Sequence, residues 1–285
     1  MFYIGCPMWG YKEWVGPFFP PRTPQSDFLR LYSRRLSTVE GNTTFYATPS
    51  AETVEHWRTE TPESFRFCFK IPRAISHAAR LESKNSDLPA FIGRMRPLQE
   101  RLGPFFLQLP PSFAPAHIEQ LQAFLADWPA DLPLAVEVRH PLFYQQPSAA
   151  HLNKLLEEHN AARVIMDSRP IRTGPAGEQQ ILQARERKPD LPVQIAITTN
   201  FAFIRYIGHP RMEMNDEFLD NWAKQFAAWL QQGLTLYVFC HCPFEVHSPT
   251  ICRNLYHRVQ KLAGLPPLAW EMPDQPDEVE QGKLF

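Results

Sequence analysis

Short apolar runs recur along the chain, and most of them end in a charged or hydrogen-bonding residue. Each run is short enough to be a β-strand, and helical patterns lie between the runs. Parallel strands are buried on both faces, so a charge at the end of such a run is expected at the rim of the sheet. The eight runs are Phe2–Gly5, Thr38–Glu40, Phe65–Ile71, Phe105–Leu109, Leu134–Arg139, Arg163–Asp167, Phe201–Ile207 and Leu236–His241.

The helices predicted between these strands have start and stop signals of their own. Ser248 and Pro249 are a typical N-cap and first-turn pair, and Gly264 ends the same helix. Eight strands that alternate with helices predict an α/β fold, a single (β/α)8 TIM-like barrel over residues 1–265, in which the loops after the strands form one face. The other predicted helices cover 25–35, 50–60, 87–102, 116–127, 147–159 and 215–233.

Two segments depart from the alternation of strands and helices. The connection at 168–200, after the sixth strand, is long and contains several prolines and glycines. Loops of this length in compact domains are typical of functional lids or mobile insertions. Residues 266–285 are proline-rich and acidic and end in Gln281-Gly282-Lys283-Leu284-Phe285. This composition cannot form a core, so we predict a disordered C-terminal tail with an apolar tip.

The composition fits one large core. The chain has 285 residues, 44% of them hydrophobic, and its net charge of −1 argues against a surface broadly adapted to nucleic-acid phosphates. A local basic patch is still compatible with that charge. No apolar run approaches the roughly 18 residues that span a bilayer, and no signal-peptide pattern is present. Five cysteines without framework spacing predict reduced thiols in a cytoplasmic protein.

The densest polar stretch at the predicted rim runs from Glu40 through Asn42 to Tyr46, at the end of the second strand. Lys70 ends the third strand. The alternation of side chains in a strand points Lys70 either into the barrel mouth or toward a helix. One interpretation is a structural Lys–Glu pair that closes the barrel. The other is a lysine with a lowered pKa that acts as base, acid or Schiff-base amine.

Charged residues also end the fifth and seventh strands. Glu137 and Arg139 share a face because strand side chains alternate with a period of two, and Arg205 lies on the seventh strand. Two arginines can hold one carboxylate or phosphate through bidentate hydrogen bonds. Alternatively, each arginine neutralises Glu40 or Glu137 in a structural network. The carboxylates of Glu40 and Glu137 could also act as a pair in glycoside hydrolysis or proton transfer.

Metal and cofactor chemistry has little support in the sequence. Cys240, His241 and Cys242 end the eighth strand, beside Cys6 if the barrel closes, and such ligands could converge on zinc. No Cys-x-x-Cys pair accompanies them, and buried cysteine is common as a small hydrophobic residue. We therefore predict no metal. The chain also lacks a glycine-rich phosphate loop, so no cofactor is predicted.

A series of ordered motifs resembles a known family over nearly all of residues 1–265. They are Gly5 with Trp9, Tyr11 and Trp14, then 39–46, Phe69-Lys70, His77, 107–113, 136–140, Asp167 and 204–208. In these motifs the chain resembles the YecE-like family, domain of unknown function 72. The resemblance implies the barrel fold argued above and adds no particular reaction. The chain departs from the pattern at 240–242, where the family tends to have asparagines.

The last residues of the chain resemble a different motif. Gln281-x-x-Leu284-Phe285 is similar to the short peptide by which many bacterial replication and repair proteins dock to the DNA sliding clamp. Leu284 and Phe285 would enter a hydrophobic pocket of the clamp, while Gln281 fixes the register by hydrogen bonds. The motif is short, and an apolar tail folded back onto its own barrel is the alternative.

The leading hypothesis is an enzyme that acts on a small anionic or polyhydroxylated substrate at the rim; hydrolysis, isomerisation and lyase chemistry all fit. The alternative is a DNA replication or repair accessory protein recruited to the sliding clamp, in which Trp9, Tyr11 and Trp14 could stack on bases. A catalytically silent binding protein is a third possibility. For the enzyme, the candidate catalytic residues are Glu40, Lys70 and Glu137, and the candidate substrate-binding residues are Asn42, Tyr46, His77, Arg139 and Arg205.

Overall fold

In the computed structural model, which describes residues 1–82, 87–173 and 179–271, the strands form one parallel sheet. The strand order is β3-β2-β1-β8-β7-β6-β5-β4, so every strand lies beside its neighbour in sequence and β1 pairs with β8. The predicted strands are confirmed to within a few residues. Their bounds are β1 Phe2–Cys6, β2 Thr38–Gly41, β3 Arg66–Phe69, β4 Phe105–Gln108, β5 Leu134–Glu137, β6 Ala162–Asp167, β7 Phe201–Ile207 and β8 Thr235–His241.

The sheet closes between its two outer strands, β3 and β4. The backbone amide of Ile71 donates to the carbonyl of Phe106 at 2.9 Å, and that of Gly103 donates to the carbonyl of Phe67 at 2.9 Å. These bonds lie outside the regular strand pairing, so the barrel is nearly but not fully closed by ladder hydrogen bonds. The predicted (β/α)8 barrel is therefore confirmed, with all strand ends that carry charge on one rim.

Helices connect the strands, in good agreement with the predicted pattern. Gly264, with φ of 65°, takes the left-handed conformation that ends the last helix, as glycine readily does. No helix in the described ranges is long and apolar enough to cross a membrane. The α-helices are α1 Phe28–Ser33, α2 Ala51–Glu60, α3 Arg73–Ser76, α4 Leu88–Met95, α5 Ile118–Ala126, α6 Ser148–Glu158, α7 Arg169–Thr173, α8 Gln179–Arg187, α9 Asp216–Gln231 and α10 Ser248–Ala263.

The barrel interior is filled by aromatic side chains. Phe106 and Phe203 stack with ring centroids 5.3 Å apart, and Phe203 contacts Phe239 at 4.8 Å. Cys68 belongs to the same buried interior cluster, so the face of β3 that carries Cys68 and Lys70 points inward. Because the interior is packed, a pocket within the barrel has to lie above this layer, at the rim.

Strands β1 and β2 approach each other more closely than a side chain would allow. A Cβ atom on Gly5 would lie 1.8 Å from the carbonyl oxygen of Thr38, so only glycine fits. The buried hydroxyl of Tyr32, on α1, accepts a hydrogen bond from the amide of Cys6 at 2.7 Å and donates to the same Thr38 carbonyl at 2.9 Å. Tyr32 therefore links the end of β1 to the start of β2.

The chain stays against the barrel beyond residue 265, the predicted end of the barrel domain. Leu268 is buried, and the Trp270 ring packs edge-on against Phe18 with centroids 4.8 Å apart. The carboxylate of Glu271 lies 3.1 Å from Arg253 Nε on α10. This segment therefore contacts both α10 and the loop that follows β1 and holds them together. The predicted clamp-binding residues Gln281, Leu284 and Phe285 lie outside the described residues.

Candidate active site

A pocket of about 460 Å³ opens at the carboxyl ends of the strands. It lies where barrel enzymes carry their active sites, because the loops and side chains of all the strands meet at this face. Its floor comes from strand ends and its outer wall from α8 and the residue that follows it. The strand-end side chains are Lys70, Gln108, Arg139, Arg205 and His241, and those near α8 are Gln180, Gln183, Arg187 and Lys188.

Arg205 binds both predicted carboxylates at the pocket floor. Its Nε and Nη2 donate to Glu40 at 2.8 and 2.9 Å, and its Nη1 donates to Glu137 at 2.6 Å. All three side chains are almost fully buried. The guanidinium therefore pairs with carboxylates from both β2 and β5. Of the two interpretations of the arginines, the structural network describes Arg205.

Both of these carboxylates are held in the ionised form. Burial by itself would raise the pKa of Glu137, but the charges of Arg205 and then Arg139 lower that pKa to about 2. The pKa of Glu40 is likewise well below its usual range, because Arg205 and then His241 outweigh the effect of burial. A group that is ionised at neutral pH cannot donate a proton, so neither glutamate is suited to the role of general acid.

Gln108, at the end of β4, joins the second arginine to the lysine. Its Oε1 accepts from Arg139 Nη2 at 2.7 Å and from Lys70 Nζ at 2.8 Å. Arg139 Nε also donates to Glu137 Oε1 at 2.6 Å, which confirms that Glu137 and Arg139 share a face. The side chain of Arg139 is 14% exposed, against 3% for Arg205, so of these two arginines Arg139 is the more accessible to a ligand in the pocket.

Lys70 points into the barrel mouth, as one of the two predicted orientations requires. Burial, followed by the positive charge of Arg205, lowers the pKa of Lys70 to about 7. Its Nζ lies 3.9 Å from the centroid of the Phe45 ring. Within the described ranges no carboxylate lies within the 4.0 Å that defines an ion pair with Nζ. A structural Lys–Glu pair at Lys70 is therefore not formed there.

The connection after β6 supplies a wall of the pocket that the strand pattern did not predict in detail. It contains two helices, α7 and α8, and α8 contributes Gln183 and Arg187 to the lining. Lys188, next to the end of α8, also lines the pocket and is partly exposed as a residue. Burial of its amine and the charge of Arg205 lower the pKa of Lys188 to about 8. The length of the connection was the one sequence signal for this wall.

Glu245 is a pocket residue that sequence reasoning missed. It lies in the short helical turn Glu245–His247 after β8, and its Oε2 accepts from the Ser248 hydroxyl at 2.6 Å. Burial raises the pKa of Glu245 to about 7. No sequence pattern marks it, because it follows the end of β8 by a few residues and its burial comes from the surrounding loops.

Asn42 and His241 complete the surroundings of Glu40. Asn42 Nδ2 donates to Glu40 Oε1 at 2.8 Å and to the carbonyl of Pro7 at 3.1 Å. His241 Nε2 lies 3.3 Å from Glu40 Oε2, and burial lowers the pKa of His241 to about 4. An ionised carboxylate only accepts, so this contact places the proton of neutral His241 on Nε2. Both side chains line the pocket.

Two predicted substrate-binding residues lie at the margin. Tyr46 lines the pocket edge but is 82% exposed, with its ring against Phe45. His77 contacts the far side of this aromatic group, 5.3 Å from the Phe45 centroid, and its Nδ1 lies 2.9 Å from the Ser76 hydroxyl. His77 is not among the residues that line the pocket. Phe45 is therefore the direct neighbour of Lys70, and His77 supports it from behind.

Cys242 lines the pocket, whereas Cys6, Cys240 and Cys252 do not. Cys6 and Cys252 have sulfur atoms 3.7 Å apart between β1 and α10, and both are fully buried. Of the residues considered above for zinc, His241 faces Glu40 instead of Cys6. Among the residues that the structure describes, no group of three or more histidine, cysteine or acidic side chains is arranged to hold a metal ion.

Trp14 cannot stack on a base, contrary to the nucleic-acid alternative. It is fully buried, packs against Phe18 and Tyr32, and donates from Nε1 to the carbonyl of Glu245 at 2.8 Å. Aromatic stacking platforms for single strands have to be accessible. The indole instead holds the loop that carries Glu245.

The fold and the pocket together define a barrel protein with a preformed, charged pocket at the carboxyl ends of its strands. The chain belongs to the family described as "Protein of unknown function DUF72", whose model matches residues 3–275. The resemblance found in the motifs is thereby confirmed. The UPF0759 protein YecE of Escherichia coli K12 is 37% identical over 262 residues, which cover 92% of this chain and 93% of that protein. The UPF0759 protein YunF of Bacillus subtilis is 30% identical over 159 residues, 51% of this chain and 55% of YunF.

Solved structures share the fold at lower sequence identity. A DUF72 family protein from Enterococcus faecalis V583 matches 97% of this chain and 100% of its own, with a TM-score of 0.66 and 18% identity. One from Thermotoga maritima MSB8 matches 93% of this chain and 100% of its own, with a TM-score of 0.64 and 22% identity. At these identities the similarity establishes the barrel architecture alone.

Proposed function

We propose that this protein is an enzyme that binds a small anionic substrate in the rim pocket and moves protons to and from it. The observation that carries the proposal is the environment of Lys70. Its amine lies at the pocket floor, has an amide and aromatic rings as neighbours, and has a pKa of about 7. Burying a lysine without a carboxylate costs stability, and such groups cluster at functional sites.

The balance of charge in the pocket favours an anion. Glu40 and Glu137 together balance the charges of Arg205 and Arg139. Lys70, Arg187 and Lys188 face the pocket as well, and among the lining residues only Glu245, whose pKa is raised to about 7, carries a carboxyl group to balance them. A carboxylate or phosphate on the substrate would compensate this excess. The amides of Asn42, Gln180 and Gln183 add groups that suit hydroxyls, so a polyhydroxylated anion fits as well.

Lys70 and Glu245 form the acid–base pair in this proposal. Their pKa values are shifted in opposite directions, each to about 7, and both side chains line the same pocket. Each group is therefore present in both protonation states near neutral pH, which is the condition for efficient proton transfer. Glu40 and Glu137, the other catalytic candidates, instead hold Arg205 in place.

We expect small anions to bind in the pocket and to stabilise the folded protein. Phosphate, pyruvate and citrate should raise Tm in thermal-shift measurements, whereas glucose and glycerol should not, since binding to the native state alone raises its stability. Arg139→Gln should weaken binding of the effective anion about tenfold or more, because it removes a charge-assisted hydrogen bond. Arg96→Ala is the matched control, because Arg96 pairs with Asp131 at an exposed surface site.

The binding experiment can fail in two informative ways. If no anion stabilises the protein more than the neutral compounds do, the anionic substrate class is wrong. If anions stabilise Arg139→Gln and wild type equally, they bind elsewhere on the surface and the rim pocket is not the site. Titration calorimetry with the most effective anion then measures the affinity in both proteins.

A second function rests on the C-terminal motif. Gln281, Leu284 and Phe285 match the sliding-clamp peptide, and Glu271, ten positions before Gln281, is exposed at the barrel surface. A peptide that follows an exposed anchor point can reach a partner without disturbing the barrel. Recruitment to a clamp would place the chemistry of the pocket at sites of DNA replication or repair.

We expect the full-length chain to bind an immobilised bacterial sliding clamp with micromolar affinity in surface plasmon resonance. The double variant Leu284→Ala/Phe285→Ala should lose this binding, because the motif places its apolar residues in the clamp pocket. Lys70→Met is the control and should bind like wild type. Equal binding by the double variant, or none by the full-length chain, would refute the clamp hypothesis.

A further inference from the structure

The surroundings of the Lys70 amine suit a nucleophile that adds to a carbonyl carbon, as well as a group that transfers protons. Nζ donates to Gln108 Oε1 at 2.8 Å, and its other near neighbours are the ring faces of Phe45 at 3.9 Å and Phe106 at 5.7 Å. In the part of the chain that the structure describes, no carboxylate is close enough to hold it as an ammonium ion. A neutral amine that donates to an amide oxygen keeps its lone pair for a nucleophilic reaction.

The aromatic neighbours suit the product of such a reaction. An amine that condenses with a carbonyl compound becomes a flat, positively charged iminium group. Ring faces stabilise a cation by their quadrupole, as those of Phe45 and Phe106 are placed to do. Unlike a carboxylate, they offer no base that could deprotonate the iminium. The same two rings would tolerate both the neutral amine and the cationic product.

We propose, on the basis of the function proposed above, that Lys70 forms an imine with an anionic aldehyde or 2-oxo acid. The Lys70 nitrogen attacks the carbonyl carbon, and a C–N bond forms while one proton passes from the nitrogen to the oxygen. The C–O bond then breaks. Its oxygen leaves as water after receiving a proton from the carboxyl group of Glu245, and the nitrogen lone pair completes the C=N bond. The step needs no oxidant or reductant.

The pocket restricts which carbonyl compounds can react. Its volume of about 460 Å³ fits a compact metabolite. Arg139 reaches the pocket beside Lys70 through the shared Gln108, so a carboxylate or phosphate bound by Arg139 would lie near the amine. A neutral carbonyl compound could not form a charge-assisted hydrogen bond with Arg139. The inference therefore names carbonyl compounds with a carboxylate or a phosphate, and excludes simple aldehydes as good substrates.

The test is reductive trapping of the imine on the full-length protein with sodium cyanoborohydride. Pyruvate and glycolaldehyde phosphate are the anionic probes, and propanal is the neutral control. Reduction fixes the probe on the nitrogen, and trypsin no longer cleaves after a modified lysine. Because Arg66 and Arg73 flank the site, label on Lys70 appears as a 67–73 peptide in mass spectrometry.

At neutral pH we expect the anionic probes to label Lys70 at least about tenfold more than Lys154, whose side chain is 76% exposed. The difference is expected because Lys70 lies in the pocket that binds the anionic probe, whereas Lys154 stands on the exposed surface of α6, where no pocket holds the probe. Propanal should show a smaller preference for Lys70. Lys70→Met should abolish the 67–73 label and leave the Lys154 label unchanged.

Equal labelling of Lys70 and Lys154, or stronger labelling of Lys70 by propanal than by the anionic probes, would overturn the imine proposal. The thermal-shift measurement separates this failure from that of the proposed function. If anions still stabilise the wild type through Arg139 while Lys70 stays unlabelled, the pocket works by proton transfer alone. If neither stabilisation nor labelling is found, both proposals fail.

Discussion

Arg205→Met lowers the free energy of unfolding by about 3–5 kcal/mol, which is the expected cost of leaving a buried ion pair with one partner missing. The variant keeps Glu40 and Glu137 buried while removing the guanidinium that binds both of them. Urea unfolding followed by circular dichroism at pH 7 measures the loss. The matched control is Arg96→Ala, whose solvent-exposed pair with Asp131 contributes little to stability.

The pH dependence of this loss identifies its cause. In the wild type the pKa values of Glu40 and Glu137 are lowered, so the stability they contribute is present above the unfolded pKa near 4.5 and is lost as pH falls toward about 2. Arg205→Met removes the charge that lowers both pKa values most, so both rise relative to the wild type although Arg139 and His241 remain. The folded variant therefore gains protons and stability as the pH falls from 7 toward 5. The gap between variant and wild type should therefore narrow on acidification.

A triple variant provides a second check on the same network. Arg205→Met combined with Glu40→Gln and Glu137→Gln removes the charges together, so it should be more stable than Arg205→Met alone. If Arg205→Met proves no more damaging than Arg96→Ala, the network contributes little to stability. In that case Arg205 would be available to a substrate anion, as the sequence also allowed.

Lys70→Met is expected to raise the free energy of unfolding at pH 7 and below. Burial lowers the pKa of Lys70 from 10.5 to about 7, so keeping this amine charged inside the protein costs as much as about 5 kcal/mol at 1.36 kcal/mol per pKa unit. Methionine has a similar length and no charge. Gln108 Oε1 still accepts from Arg139 in the variant, so no buried acceptor is left without a donor.

The stabilising effect of Lys70→Met decreases as the pH rises. Between pH 7 and 10.5 the folded wild type binds fewer protons at Lys70 than the unfolded chain does, so its stability rises with pH. The advantage of Lys70→Met should therefore shrink by up to about 1.4 kcal/mol per pH unit above pH 7. Urea unfolding at pH 6.5, 8 and 9.5 measures the difference between the two proteins.

Lys154→Met, at an exposed site, is the control for this measurement and should match the wild type throughout. The difference between the two proteins also cancels the contribution of Lys188, which titrates in the same direction. If Lys70→Met is instead several kcal/mol less stable than the wild type at pH 7, Lys70 is a structural residue. A variant that is more stable and inactive would mark Lys70 as a site where function is retained at the expense of stability.

Periodicity was enough to predict the barrel and to show which site residues share a face of their strand. Strand and helix positions followed from local spacing, because each element has to bury an apolar face. The same alternation grouped Glu137 with Arg139, and it put Lys70 on the face of β3 that carries Cys68. These relations hold within a few residues of chain, where backbone geometry alone decides which side chains share a face.

Periodicity could not predict which charged residues pair with each other or how the pKa values of the site residues are shifted. Arg205 binds Glu40 across 165 positions of the chain, and the decision depends on how the barrel closes. Glu245 and the α8 wall are placed at the pocket by the connections after β8 and β6. The apolar residues of these connections follow no regular spacing from which their position could be predicted. The lowered pKa of Lys70 and the raised pKa of Glu245 both arise from burial.

The sequence by itself therefore determined the barrel, its rim and a set of charged residues there. Only the tertiary structure decided which of these charged residues form ion pairs with each other. It also decided that the Lys70 amine is the group at the pocket floor without a carboxylate partner among the described residues. The physical reason is that the electrostatic energy of a side chain depends on the atoms and solvent around it in space. Residues distant in the chain and the depth of burial define that environment, and both are established only when the sheet closes.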